Sequence, residues 1–316
     1  MAGLDLLTVG RISTDLYAEQ LGVPLAEVRS FRKSVGGTAT NVAVAAARLG
    51  HAAAVFTKVG DDPFGHYVRD ALSTTFGVDT RFVATHPTLR TPLAFAELRD
   101  PGEPVLDFYR DPRAPDMTIA VDEVDLDVVC KVPILWIPAG TLAEEPSRST
   151  VLTLLRHRGR RAHTIVDLDW RPVLWHGEIE RASAEVAAAL PFATMAIGNR
   201  AECQMAVGTT DPDEAADRLL ALGLTAAIIK MGGDGVLAAT ASGVRQRVPP
   251  RPVEVVCGLG AGDAFGGALC HGLLSGWDLV RCVHAGNAAG AIVASRLMCA
   301  DDMPTAAEIV EVLSHA

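Results

Sequence analysis

The sequence carries no surplus of positive charge: 28 Lys and Arg stand against 38 Asp and Glu, a formal net charge of -10. Domains whose main business is the backbone of DNA or RNA carry a basic surface, so nucleic-acid binding is excluded as the principal role. Nor is there an apolar run of the ~18–20 uncharged residues that a membrane helix needs. The mean hydropathy of +0.24 comes from alanine, which raises the index without making a lipid-soluble segment. The opening residues, Met1-Ala-Gly-Leu-Asp5, lack the basic start and long apolar core of a secretory signal, and a cytoplasmic protein is expected. Six cysteines are scattered without a C-x-x-C pair, which disfavours structural zinc and a disulfide framework and predicts reduced, packed thiols. Two nucleotide signatures are missing as well. No G-x-x-x-x-G-K-[ST] string occurs, and the first strand ends Thr8-Val-Gly-Arg-Ile12 rather than in G-x-G-x-x-G, so a P-loop enzyme and an NAD-dependent dehydrogenase are both poor readings.

What is present is a rhythm. Short β-branched or leucine-rich runs (Leu4–Gly10, Ala53–Val59, Ile134–Pro138, His163–Asp167, Met195–Ile197, Ala226–Lys230) alternate with alanine-rich amphipathic stretches. The latter predict helices over Thr40–Leu49, Phe64–Phe76, Ser147–His157, Glu178–Ala189 and Pro212–Leu222. Apolar runs of this length between longer helices imply βαβ units and a buried parallel sheet. Two segments break the rhythm. Residues 12–35 contain no long helix, and 78–115 read as extended pieces (Arg81–Thr85, Leu93–Arg99, Val105–Arg110) joined by Pro and Gly turns. They predict a small β-sheet beside the α/β body, placed as a lid over the carboxyl edge of the parallel strands. One domain over all 316 residues accommodates this pattern.

Two glycine clusters could carry chemistry. In Val255-Val-Cys-Gly-Leu-Gly260-Ala-Gly-Asp263, small residues crowd a turn that opens into the helical run Ala264–Leu274. Converging backbone N–H groups and the positive end of a helix make an anion site there. Asp263 is either an N-cap, holding those N–H groups itself, or a general base beside the anion; the segment alone leaves both open. The second cluster, Gly36-Gly37-Thr-Ala-Thr-Asn41, also feeds a helix. It lets the backbone approach a polar ligand closely and offers the donor and acceptor of Asn41, although a plain turn has the same composition.

Together, Gly36-Gly37-x-x-x-Asn41 and Gly260-Ala-Gly-Asp263, in this order with lid-like insertions, resemble the ribokinase-like (PfkB-type) carbohydrate kinases over nearly the whole chain. The resemblance implies a three-layer α/β/α fold, with a mostly parallel central sheet and a small β-sheet lid. It implies phosphoryl transfer from ATP, with Mg2+, to a sugar hydroxyl, and leaves a monovalent cation and a homodimer open. Asp263 then matches the catalytic base, and Gly260, Ala261 and Gly262 the anion hole. Asp15 matches an early Asp that binds sugar hydroxyls. Asn199-Arg-Ala-Glu202 matches the Asn-x-x-Glu pattern linked to magnesium, which Glu202 would meet through water, and to phosphate. Lys230-Met-Gly232-Gly-Asp-Gly235 matches the strand-turn that borders the nucleotide, and Asn287 the Asn near the adenine. Cys257-Gly258 depart from the family, which commonly has Asp-Thr there.

Two arginines favour an acidic sugar, since guanidinium pairs with a planar carboxylate through two bonds. Arg110 follows Tyr109 in the second lid segment, and Arg171 lies in Asp167-Leu-Asp-Trp-Arg171-Pro-Val-Leu-Trp175. Each has acids nearby, Asp111 and Asp169, with which it could simply make a salt bridge. Their contexts resemble the family's branch acting on keto-deoxy sugar acids. With Arg11-Ile-Ser-Thr-Asp-Leu-Tyr-Ala-Glu-Gln20 and Gly258-Leu-Gly-Ala-Gly-Asp-Ala-Phe265, they imply 5-dehydro-2-deoxy-D-gluconate, phosphorylated at its 6-hydroxyl in myo-inositol breakdown. The alternatives are a 2-keto-3-deoxygluconate kinase, a neutral-sugar or nucleoside kinase, and a sugar-binding regulator without catalysis. The last is disfavoured because binding alone does not need a base at 263.

Overall fold

The computed structural model describes residues 3–100 and 104–314; residues 101–103 of the second lid segment and Met1-Ala2 of the N-terminal reading lie outside them. Among the described residues, thirteen strands follow one another as β1 (Leu6–Val9), β2 (Ser13–Ala18), β3 (Phe31–Gly36), β4 (Ala53–Gly60), β5 (Val83–His86), β6 (Leu93–Glu97), β7 (Val105–Tyr109), β8 (Ile134–Pro138), β9 (Thr164–Asp167), β10 (Met195–Asn199), β11 (Ala226–Lys230), β12 (Val236–Thr240) and β13 (Arg245–Val248). The helices are α1 (Thr38–Arg48), α2 (Pro63–Asp70), α3 (Leu126–Lys131), α4 (Ser147–Arg158), α5 (Ile179–Ala189), α6 (Arg200–Val207), α7 (Pro212–Ala221), α8 (Ala261–Leu274), α9 (Leu279–Ala294) and α10 (Ala306–Ser314). A nine-stranded sheet has the order β13-β12-β11-β10-β9-β8-β1-β4-β5, parallel except at β12 and β13.

The continuous apolar runs follow from this burial. All of β1, β4, β8 and β9 is buried, because helices cover both faces of the sheet. Side chains alternate between the two cores they build. Leu6, Val55, Ile134 and Ile165 join one cluster, which includes residues of α1, α8 and α9. Leu7, Phe56, Leu135 and Val166 join the other, with residues of α4 to α7. Small residues bring α8 in close: a Cβ on Gly266 would lie 2.8 Å from the buried Trp136 ring. The six cysteines are free, five of them buried. No helix among the described residues is long and apolar enough to cross a membrane.

The second sheet has four strands in the order β3-β2-β6-β7, drawn from the two segments that lacked helical rhythm. One expected member is elsewhere. The piece at 81–85 contributes β5, which pairs in parallel with β4 at the edge of the large sheet; a four-residue strand takes its sheet from its neighbour, not from its own sequence. The region predicted as one helix over 64–76 is α2 followed by a π-helical turn, Ala71–Thr75.

Candidate active site

Parallel strands deliver the polar groups at their carboxyl ends, the edge at which open α/β sheets bind ligands. β1 leads through Gly10 to Arg11, β9 to Asp169 and Arg171, β10 ends at Asn199 and β11 at Lys230.

Helix α8 has Gly260 as its N-cap, at φ 79°. That left-handed position is closed to a side chain for a second reason, because a Cβ there would lie 2.1 Å from Cys299 Sγ. No side chain caps the helix, so its first N–H groups remain available to an anion. Asp263 is therefore not the cap. Its Oδ2 accepts a hydrogen bond from Asn41 Nδ2 at 2.8 Å, and Cys299 Sγ lies 3.8 Å from the same oxygen. Burial pushes the Asp263 carboxyl up to about 6, Asp169 adding to the effect while Asn41, Arg171 and Arg11 oppose it. A carboxyl in that range is mostly ionised at pH 7 and still takes a proton readily, as a general base must.

Two cavities meet at this helix start. The smaller, about 50 Å³, is walled by Gly260 and Asp263 together with Arg11, Ser13, Asp15, Gly37, Asn41 and Arg171, and is roofed by Ala94, Leu106 and Phe108 of the small sheet. The larger, about 600 Å³, is walled by Ala261 and Gly262 together with Lys230, Gly232, Gly235 and Asn287. Four consecutive residues thus face a small polar chamber on one side and a long cleft on the other.

In the small chamber Asp15 is buried, accepts from Ser13 Oγ at 2.6 Å, and has its carboxyl raised to about 6, chiefly by burial. Gly36 stands behind it, where a Cβ would lie 1.9 Å from Asp15 Oδ1. Asn199 and Glu202 do not wall the cleft but stand behind Lys230, where they form a capping box on α6: Asn199 Oδ1 accepts from the Glu202 N–H at 3.0 Å, and Glu202 Oε2 from the Asn199 N–H at 2.6 Å. Glu202 Oε2 also lies 3.9 Å from Lys230 Nζ. Burial pushes the Lys230 ammonium down, but Glu202, Asp167 and Asp263 outweigh it and leave it above its ordinary value. Asp167, buried next to them, has its carboxyl pushed well up by burial, with Lys230 opposing and Glu202 adding. Asn287 Nδ2 donates to the Pro249 carbonyl at 2.8 Å on the cleft wall. Among the described residues no three His, Cys, Asp or Glu side chains are grouped to ligate a metal directly. Glu202 and Asp167, two buried carboxyl groups beside Lys230, fit the outer, water-mediated shell of a hydrated divalent ion.

Two expected residues lie elsewhere. Strand alternation turns Tyr109 of β7 outward, 60% exposed, while Phe108 faces the chamber. Arg110 does not line the chamber; its Nη2 donates to the fully buried Asp116 at 2.5 Å, and Asp116 also accepts from the Ile12 N–H. Arg171 does reach the chamber, with Nε 3.3 Å from Asp169. Cys257, where the family commonly has Asp, points into the core. Sequence reasoning missed Arg11, which is buried in the chamber and bonded to Asp169 and Thr38. Its position straight after β1 was the available signal.

A family model described as pfkB family carbohydrate kinase matches residues 4–306. A protein of Photobacterium profundum named 5-dehydro-2-deoxygluconokinase is 35% identical over 310 residues, spanning 96% of this chain and 92% of that one. A sugar kinase of Pyrococcus horikoshii, solved in complex with ATP, superposes with a TM-score of 0.80 at 26% identity, covering 97% of this chain and 99% of that one. Fructokinase from Vibrio cholerae, with fructose, ADP and calcium bound, gives a TM-score of 0.86 at 25% identity, covering 98% and 99%.

Proposed function

Because the chain belongs to the pfkB family of carbohydrate kinases, we propose that it transfers the terminal phosphoryl group of ATP to the primary 6-hydroxyl of 5-dehydro-2-deoxy-D-gluconate. The observation that carries this reading is the helix start shared by two cavities, with Asp263 on the small side and Ala261-Gly262 on the large. A phosphoryl group passing from the cleft to the chamber crosses the N–H groups of α8. The substrate rests on the names of the relatives, three of them 32–35% identical over at least 96% of this chain, and on an arginine-bearing acceptor chamber.

In this reading ATP occupies the cleft, with its base toward Asn287 and its phosphates toward Lys230, Gly232 and Gly235. The sugar acid occupies the chamber, where Asp15, Gly37 and Asn41 hold hydroxyls and Arg171 meets the carboxylate. Asp263 accepts the proton of the 6-hydroxyl as that oxygen attacks in line, and Asn41 keeps the carboxylate aimed. The free N–H groups at Gly260–Asp263 stabilise charge on the group in transit. Magnesium, held through water by Glu202 and Asp167, would neutralise phosphate charge. The small sheet is the lid: Ala94, Leu106 and Phe108 exclude water, which would otherwise compete as acceptor.

The test is ADP release measured across 5-dehydro-2-deoxygluconate, 2-keto-3-deoxygluconate, fructose and ribose. The first is expected to give the highest kcat/KM. A higher value for 2-keto-3-deoxygluconate would move the assignment to the isomeric acid, and a higher value for fructose or ribose would remove the sugar acid altogether.

A further inference from the structure

Arg11 lies between the two sheets, on the link from β1 to β2, and is only 4% exposed. Its Nη2 carries both of its observed bonds, to Thr38 Oγ1 at 2.7 Å and Asp169 Oδ2 at 2.6 Å. Its Nε is buried and donates to nothing among the described residues. An arginine has five N–H groups, and a buried guanidinium left partly unpaired costs stability unless something completes it.

The charges point to what that is. Asp169 is shared, with Arg11 on one oxygen and Arg171 on the other, so two guanidiniums face the chamber on one carboxylate. Arg110 offers no third, because the buried Asp116 holds it outside. Asp15 and Asp263, the other acids of the chamber, are already engaged by Ser13 and Asn41, and their task is with hydroxyls. A neutral polyol would need only Asn and Ser donors, with no buried cation. A monoanion placed between Arg11 and Arg171 balances the Arg11-Asp169-Arg171 group locally, with Asp15 and Asp263 left to the hydroxyls, and supplies acceptors for the guanidinium N–H groups that face the chamber.

We propose that Arg11, paired with Arg171 across Asp169, is the specificity-determining clamp for the carboxylate of the sugar acid. This rests on the sugar-acid reading above, and the experiment separates the two. kcat/KM is measured for 5-dehydro-2-deoxygluconate and for its C1 amide, in wild type, Arg11→Met and Arg11→Lys, with KM for ATP and the melting temperature alongside. Wild type is expected to prefer the acid. Arg11→Met should cut the acid-to-amide preference about 10- to 150-fold, with KM for ATP within about twofold of wild type. Arg11→Lys keeps a charge near Asp169 but loses the planar fork, and should fall between the two. If both substrates decline equally in Arg11→Met, Arg11 only positions Asp169 and Thr38, and the clamp is wrong. Should Arg11→Met fail to fold, an unchanged preference in Arg11→Lys overturns the clamp by itself. A wild-type enzyme with no preference for the acid overturns the sugar-acid reading instead.

Discussion

Replacing Asp263 by Asn removes one proton-accepting oxygen and changes almost nothing else. The helix keeps its start, because Gly260 and not Asp263 stands at the cap. The carbonyl oxygen of the introduced amide can still accept from Asn41 Nδ2, which donates at 2.8 Å in the native protein. Loss of a general base costs ~10²- to 10⁴-fold in rate, and disturbing the adjacent N–H cluster adds to that. The same change should stabilise the fold. Burial raises the Asp263 carboxyl from 3.8 to about 6, so the folded form holds its proton to higher pH than the unfolded chain does. Stability is then lost as pH rises from about 4 to about 6 and stays lost above, to the extent of about 3 kcal/mol at most. An amide at this position carries no charge to desolvate. The variant should therefore melt higher than wild type at pH 7.5, with the gain shrinking toward zero near pH 4. The assay pairs steady-state ADP release with thermal unfolding at both pH values. More than a tenth of the wild-type kcat would refute Asp263 as base, and a variant that melts lower at pH 7.5 would refute the burial cost.

Three further outcomes follow from the same geometry. kcat/KM should fall about tenfold per pH unit below about 6, where the raised carboxyl of Asp263 takes up its proton; a profile flat to pH 5 would contradict it. Glu202→Gln retains the capping box, since Gln can also accept from the Asn199 N–H, but it removes a charge 3.9 Å from Lys230. The magnesium needed for half-maximal rate should rise while the sugar KM stays constant, and an unchanged magnesium titration would make Glu202 a helix cap only. Gly36→Ala would place a Cβ 1.9 Å from Asp15 Oδ1, so the sugar KM should rise at least tenfold with little change in KM for ATP; equal effects on both would point to general misfolding.

Much of this was written locally in the sequence. The glycine string at the start of α8 was legible because a left-handed φ of 79° favours glycine, a local requirement, whereas the further exclusion of a side chain by Cys299 is a tertiary contact. The parallel strands were legible from apolar runs buried on both faces. What escaped depends on distant partners. Arg11 and Asp169 are 158 residues apart, and neither carries a spacing that announces the other. The Tyr109-Arg110 context points to a carboxylate ligand, with Asp111 as the neighbouring acid that could pair it instead; the actual partner, Asp116, is fully buried and is fixed by the Ile12 N–H from the segment after β1. β12 and β13 were missed for a related reason. The short runs VLAAT and RQRV have weak strand signals and are held by antiparallel pairing beside β11.

The most direct measurement is the identity of the product. Purified protein is incubated with ATP, magnesium and 5-dehydro-2-deoxy-D-gluconate, and the mixture is read by phosphorus-to-proton correlation NMR with ADP quantified in parallel. A base at Asp263 working on a primary hydroxyl predicts one phosphomonoester per ADP, its phosphorus coupled to the two protons of the C6 methylene. ADP accompanied by inorganic phosphate, or a phosphorus coupled to a single methine proton, would contradict it.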